Sequence, residues 1–177
     1  LRTEAKDLSL SIVGAPNREH ADHFQVLVEA VGSGVELYPA QPQEELARMM
    51  REHDIFVLPS FFEGLGLIAI EALDSGLWTV AAKIEGLVSL LGENILNSGA
   101  IEFVDLPMMD DIGVPPRPQF DDFVGGLKSK LALQAERVRG GYVFPEDLNL
   151  SGHSWRAIAA RVNRLLNDSA AQTAESV

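Results

Sequence analysis

Two glutamates and two glycines lie close together in the chain in a pattern that could bind a ligand. The segment reads Glu63-Gly64-Leu65-Gly66, and Glu71 follows eight residues after Glu63. Glycines let a backbone approach a ligand closely, and free N–H groups at a helix N-terminus attract anions. A helix across this interval would separate the two glutamate backbones by about 12 Å. A nucleotide sugar has a similar span, so one carboxylate could accept from ribose hydroxyls and the other from sugar hydroxyls.

Each glutamate taken alone also has a structural interpretation. Glu63 could support the N-terminus of the following helix through its charge. Glu71 could simply face solvent, although its neighbours Ile70 and Ala72 are apolar. A carboxylate in such surroundings is expected to need a partner. The joint pattern, rather than either residue, therefore indicates a site.

The elements that must position these residues alternate between strands and helices. Residues 54–59 form the clearest strand, and their continuous apolar run is typical of a parallel sheet buried on both faces. A helix is predicted from about residue 65 to 75, with Gly76 at its C-cap. Further strands are predicted at 8–13, 35–38, 78–82 and 101–104, and further helices at 18–31, 42–52, 120–139 and 153–167. This order predicts an α/β fold, a three-layer doubly wound parallel sheet whose ligands bind at the carboxyl ends of the strands.

The chain has the length of one domain, and we expect residues 1–177 to form a single domain. Residues 105–118 contain four prolines and an acidic cluster, which predict an irregular loop. Residues 168–177 are expected to be a disordered tail.

Charge and composition exclude several classes of function. Lys and Arg number 14 against 26 Asp and Glu, which gives a net charge of −12. Such a surface repels nucleic acids and anionic membranes, so neither is an expected partner. The chain has no cysteine, which excludes disulfides and thiolate sites and is compatible with a reducing compartment. Charged residues interrupt every long apolar stretch, so no transmembrane segment is expected.

Other side chains are weaker candidates for chemistry. His20 and His23 are three residues apart, a spacing that a metal could use, but no third ligand is placed by the sequence. We therefore expect no metal. The adjacent aromatic residues Phe61 and Phe62 are expected to belong to the core.

Residues 54–76 resemble the signature of the retaining GT-B glycosyltransferases, the large "group 1" family. The positions that match the family's pattern in order and spacing are Asp54, Pro59, Ser60, Glu63, Gly64, Gly66, Glu71, Ala72 and Gly76. Residues 10–14 resemble a strand of that family ending in Gly14, and residues 154–159 resemble its C-terminal Ser-Trp helix. The resemblance covers residues 8–91 well and residues 92–152 hardly at all.

The resemblance implies a Rossmann-like C-terminal domain that binds a nucleotide-diphosphate sugar for retaining transfer of a hexosyl group to an acceptor it does not identify. It implies that Glu63 is the catalytic residue facing the donor sugar and that Glu71 holds the ribose hydroxyls. The implied donor-binding residues are Gly14, Gly64, Leu65, Gly66, Leu67 and Glu71. It also implies that neither a metal nor another cofactor is needed.

The sequence departs from the family pattern in several places, beginning with residues 77–80, Leu-Trp-Thr-Val, where the family usually has Pro-Val-Val. The family's first strand–helix unit, with an Arg…Lys pair for the diphosphate, is not found before Leu8. The family's loop Gly-Gly-x-Pro-Glu is replaced by residues 85–89, Glu-Gly-Leu-Val-Ser. The N-terminal acceptor domain is also missing. We therefore expect this chain to be one part of a cytoplasmic transferase and to be inactive alone. Any peripheral association with the inner membrane is expected to occur through the missing domain.

Two other functions stay open at this stage. One is a non-catalytic module that binds sugar nucleotides, and the other is a non-transferase GT-B enzyme such as a nucleotide-sugar epimerase. A pure nucleotide binder would need Glu71 but not the sugar-facing Glu63. The presence of both glutamates favours the transferase.

Overall fold

The computed structural model describes residues 8–14, 34–108 and 116–153, together with helical positions 156, 157, 159, 160, 163 and 164. The chain divides into two compact units, Leu1–Glu52 and His53–Val177. Both units contain parallel strands and helices, which confirms the α/β class. The single domain over residues 1–177 stays a prediction. The predicted helix 18–31 and the tail 168–177 lie outside the described residues.

In the first unit, the described residues 8–14 and 34–52 form two paired strands and one helix. Strand β1 (Leu10–Val13) pairs in parallel with β2 (Val35–Tyr38), with Leu10 opposite Val35. Helix α1 (Gln43–Arg51) buries Met49 and Met50, as its apolar spacing predicts. On its exposed side, the guanidinium of Arg48 contacts the Glu45 carboxylate and lowers the pKa of that carboxyl.

The second unit contains a three-stranded parallel sheet. Its strands lie in the order β3 (Ile55–Leu58), β4 (Trp78–Ala82) and β5 (Ile101–Val104). Ile55 is opposite Trp78, and Thr79 is opposite Ile101. Because all three strands run the same way, their carboxyl ends meet at one edge of the sheet.

Among the described residues of this unit, four continuous helices accompany the strands, and the separate positions 156, 157, 159, 160, 163 and 164 are also helical. The four continuous helices are α2 (Leu67–Asp74), α3 (Glu85–Leu90), α4 (Glu93–Leu96) and α5 (Arg117–Arg139), and a 3₁₀ turn covers Ser151–His153. Within the described residues, no helix is both long enough and apolar enough to cross a bilayer. Helices α3 and α4 were not predicted, because each is short and starts beside a glycine. Buried Leu87 and Ile95 stabilise them by packing into the core.

Most predicted boundaries agree with the structure to within two or three residues. The strand predicted from residue 8 begins at Leu10, and the helix predicted from residue 120 begins earlier, at Arg117. Residues 105–108 have no regular structure, as predicted, and residues 109–115 lie outside the described residues. Gly76 follows α2 with φ +85°, and its N–H donates to the Leu73 carbonyl, so it ends the helix as expected.

Strand β4 is the centre of the core. All five of its side chains are buried, and Val80, Ala81 and Ala82 are fully enclosed. Helices α2 and α5 both pack against this strand. The strand is therefore covered on both faces, as a three-layer parallel sheet requires.

A buried polar network joins α5 to the amino ends of β4 and β5. The fully buried Gln134 side chain donates from Nε2 to the carbonyl oxygens of Thr79 and Gly99, each at 3.2 Å. Its Oε1 accepts from Nη1 of Arg137 at 2.9 Å. Arg137 also contacts the Glu102 carboxylate at 3.1 Å and lies over the Trp78 ring. Gln134 thus satisfies main-chain carbonyls that would otherwise be buried with fewer partners.

We expect Gln134→Leu to lower the free energy of unfolding by about 1–3 kcal/mol. Leucine fills a similar volume, but it cannot donate to the buried carbonyl groups or accept from the Arg137 guanidinium. Urea unfolding followed by tryptophan fluorescence measures the effect. Ser129→Ala, an exposed change on the same helix, is the control and should stay within about 0.5 kcal/mol of wild type. A Gln134→Leu value equally close to wild type would contradict the role given to the amide.

Candidate functional site

The segment between β3 and α2 lies at the carboxyl edge of the three-stranded sheet. Residues 59–66, here called the glycine loop, leave β3 and lead into α2. Glu63, Gly64, Leu65, Gly66 and Leu67 are therefore adjacent, with Glu71 on the following helix. Gly14 belongs to the other unit, where it follows β1 and donates its N–H to the Tyr38 carbonyl at 3.1 Å.

Gly66 is the residue at which the chain turns into α2. It has φ +61° and ψ +35°, the left-handed conformation that residues other than glycine rarely adopt. A Cβ at this position would lie 3.5 Å from side-chain atoms of Leu58 and Leu87, which is ordinary van der Waals contact. Backbone torsion, rather than lack of space, therefore requires glycine here.

The N-terminus of α2 is suited to an anion. Gly66 precedes it without a side chain that could cap it, and the first turn contains no acidic residue. The first N–H groups of a helix have no partner within the helix, and they carry the positive end of its dipole. Leu65 and Leu67 on either side of Gly66 are 48% and 42% exposed, whereas Gly66 itself is buried, so solvent reaches this end of the helix at the residues beside the glycine.

Glu63 is exposed and is held by a neighbouring hydroxyl. Ser60 Oγ donates to Glu63 Oε1 at 3.1 Å. This contact limits the directions in which the carboxylate can point while leaving its second oxygen available. The orienting role of Ser60 was not predicted, although its position three residues before Glu63 in a tight loop permits the contact.

Glu71 lies in the second turn of α2, on its exposed side. Its neighbours Ile70 and Ala72 are buried, but Glu71 itself faces solvent. The expectation that its carboxylate needs a partner was therefore wrong, because the apolar neighbours point the other way. The helix also begins at Leu67 rather than at Glu63, so only four of the eight intervening steps are helical, about 6 Å of rise.

The first turn of α3 lies directly against the glycine loop. A Cβ on Gly86 would lie 2.3 Å from the carbonyl oxygen of Gly64 and 3.6 Å from Cα of Leu65. Leu87, the next residue, is fully buried and borders Gly66. In the sequence, residues 85–89 are distinguished only by their departure from the family pattern. The spatial role of Gly86 was missed, because nothing in the sequence brings residue 86 next to residue 64.

The two adjacent aromatic residues have different environments. Phe61 packs edge-on against Phe123, with ring centroids 5.0 Å apart, and also against Phe120 of α5. Phe62 is 63% exposed. The prediction that both rings belong to the core is confirmed for Phe61 and wrong for Phe62, which lies next to Glu63.

A cavity of about 350 Å³ lies beside the carboxyl end of β5, but its charge is unfavourable to phosphate. Asp105 and Asp122 both line it, and Lys83 lies 3.3 Å from the Asp105 carboxylate. In the part of the chain that the structure describes, no three His, Asp or Glu side chains form a group that could hold a metal ion. His20 and His23 lie outside that part. The α2 N-terminus is thus the better position for an anion.

The chain is similar to known glycosyltransferases. A family model described as "Glycosyl transferases group 1" matches residues 1–104. The D-inositol 3-phosphate glycosyltransferase of Corynebacterium glutamicum is 30% identical over 174 residues, which cover 96% of this chain and 38% of that protein. The protein of the same name from Segniliparus rotundus is 40% identical over 65 residues, covering 37% of this chain and 14% of that protein.

A similarity to a solved structure was also found. WaaG, a glycosyltransferase involved in lipopolysaccharide biosynthesis, has 19% identity and a TM-score of 0.46, covering 79% of this chain and 35% of that one. The chain spans less than two fifths of the length of the relatives named above. Because the family model matches more than half of the 177 residues, the chain belongs to the group 1 glycosyl transferases.

Proposed function

We propose that this chain is the donor-binding, C-terminal part of a transferase that moves a hexosyl group from a nucleotide-diphosphate sugar. The observation that carries the proposal is the open N-terminus of α2, which has no side-chain cap and no acid in its first turn. A diphosphate placed there would accept hydrogen bonds from the amides of residues 64–67. The names of the related proteins support glycosyl transfer as the reaction.

The chemistry of transfer suits this position of the diphosphate. The bond between the anomeric carbon and the diphosphate oxygen breaks, and a bond from the acceptor's hydroxyl oxygen to the same carbon forms. Negative charge grows on the departing diphosphate, which takes up the acceptor's proton. Preorganised N–H donors aimed at that charge stabilise it more in the transition state than in the ground state. The family resemblance supports retention of the anomeric configuration and a reaction that needs no metal.

The two glutamates have separate roles in the proposal. Glu63, held by Ser60, accepts hydrogen bonds from the donor sugar and is the catalytic carboxylate. Glu71, exposed on the second turn of α2, accepts from the ribose hydroxyls. Each carboxylate starts exposed, so neither is desolvated before the donor binds. Gly14 stays a proposed donor-binding residue by resemblance alone.

Binding by this chain alone is expected to be weak. The Lys83 ammonium, which follows β4, already contacts the Asp105 carboxylate. Charge-assisted contacts from a basic pair, of the kind the family uses, contribute roughly 1.5–3 kcal/mol each. Their loss corresponds to about two to four decades of affinity. Sugar transfer is proposed to require the N-terminal acceptor domain of a longer protein.

Calorimetry with uridine, guanosine and adenosine diphosphates tests the nucleotide site. We expect weak binding of at least one of them, reduced by about tenfold or more in Glu71→Ala because a charge-assisted hydrogen bond is lost. Asp74→Ala removes another exposed carboxylate from the same helix and should leave the affinity unchanged. Tight binding that survives Glu71→Ala would mean that the nucleotide sits elsewhere. Sugar transfer by this chain alone would refute its description as an inactive part.

Saturation-transfer difference NMR with UDP-glucose and GDP-mannose tests the sugar-facing carboxylate. Glu63→Ala should abolish the saturation of sugar-ring protons while leaving that of the nucleobase protons, because only the sugar contact is removed. Ser60→Ala should reduce the same sugar signals in part, since it releases the orientation of Glu63. Glu93→Ala, an exposed carboxylate on α4, is the matched control. Unchanged sugar signals in Glu63→Ala would contradict the assignment.

A further inference from the structure

The glycine loop is in contact with a helix whose position in the core is fixed. The first turn of α3 meets the loop at Gly86, where a Cβ would lie 2.3 Å from the Gly64 carbonyl oxygen. Real Cβ atoms essentially never come within 3.0 Å of a non-bonded heavy atom, so a side chain at this position requires something to shift. An α-hydrogen of Gly86 therefore occupies the space between α3 and the loop.

The constraint at Gly86 is spatial, in contrast to that at Gly66. Gly86 lies in a helix and has no positive φ, so its backbone angles are open to any residue. Alanine is also the better helix former, so propensity alone would favour alanine here. Glycine is thus needed only because the Gly64 carbonyl is so close.

The loop, rather than the helix, is the side that must move when Gly86 is enlarged. Leu87 anchors α3 because its side chain is completely buried in the core cluster. Gly64 is exposed, and a Cβ built on it would meet nothing within 4 Å, so the loop is less tightly packed at this residue than α3 is at Leu87. A Cβ at residue 86 would have to push the Gly64 carbonyl away by at least 0.7 Å, the difference between 3.0 and 2.3 Å.

We infer that Gly86 is a positioning residue for the donor site, which holds the amides of residues 64–67 at the start of α2 through its contact with Gly64. The inference rests on the proposed function of these amides as diphosphate donors. It adds a residue from a different strand–helix unit to the site.

The geometry predicts a loss of binding without a loss of folding. Hydrogen bonds to an anion weaken steeply as distance and angle depart from their optimum. A displacement of about 1 Å at a binding site can cost about a hundredfold in function. We therefore expect Gly86→Ala to weaken nucleoside diphosphate binding by about tenfold or more while the chain stays folded.

The test is a titration of the ¹⁵N-labelled chain with uridine, guanosine and adenosine diphosphates, followed by amide chemical shifts. In the wild type, the amides of residues 64–67 should shift with saturation. In Gly86→Ala, the same amides should have moved before any nucleotide is added, and the affinity should fall by at least tenfold. The melting temperature of each variant is measured in parallel.

Two glycines of α5 provide matched controls. A Cβ on Gly125 would meet nothing within 4 Å, so Gly125→Ala should change neither the loop amides nor the affinity. A Cβ on Gly126 would lie 2.9 Å from Cγ1 of Val104, so Gly126→Ala should lower the melting temperature and leave the affinity unchanged. This second control separates a general loss of stability from a displaced loop.

The possible failures are distinguishable. If no nucleotide shifts residues 64–67 in the wild type, the proposed function fails. If the wild type binds and Gly86→Ala keeps unshifted loop amides and an affinity within twofold, the positioning role is overturned. A Gly86→Ala chain that unfolds would also overturn it, because the helix and core would then have yielded instead of the loop.

Discussion

The fold of the second unit depends on the complete burial of β4. A parallel strand that is apolar on both faces must be covered on both, and α2 and α5 both pack against it. The same parallel order brings the carboxyl ends of β3, β4 and β5 to one edge, where the segments that follow them come into contact. The site is therefore a consequence of how β4 is buried, because that burial fixes where each loop emerges.

At the opposite edge of this sheet, where β4 and β5 begin, side chains of α5 bind main-chain carbonyl groups. Gln134 and Arg137 of α5 bind the carbonyl groups at the amino ends of β4 and β5, and Glu102 pairs with Arg137 and Lys130. These side chains and carbonyl groups are thus hydrogen-bonded or ion-paired with one another. At the carboxyl edge, by contrast, the N-terminus of α2 is uncapped. This difference between the two edges locates the region that is available to a ligand.

The sequence predicted most of this architecture because strands and long helices carry strong patterns. The strands predicted at 35–38, 78–82 and 101–104 agree with the structure, and Gly76 follows the end of α2 as predicted. Helices α3 and α4 escaped prediction because six and four residues are too few for a periodic pattern, and tertiary packing of Leu87 and Ile95 stabilises them.

The candidate site was predictable to the extent that it is contiguous in sequence. Residues 63–71 carry a motif, so their grouping required no knowledge of the fold. Ser60 was noted as part of that motif, but its hydrogen bond to Glu63 depends on the turn between them. Gly86 lies beyond another strand, and its contact with Gly64 exists only after the sheet has formed. Long-range proximity of this kind has no signature in a single sequence.

The two glycines at the loop differ in what could compensate for their loss. At Gly66 a substitution incurs a torsional penalty of roughly 1–2 kcal/mol, and it lowers the stability of the whole unit. Any stabilising change elsewhere in the unit can offset such a penalty, since distant effects add. At Gly86 a Cβ would lie 2.3 Å from the Gly64 carbonyl oxygen, and the cost that we infer is a displaced carbonyl. A stabilising substitution elsewhere in the unit can therefore restore the stability of a Gly66 variant but not the loop position of a Gly86 variant. The reason is that a more stable core holds α3 more firmly against the loop.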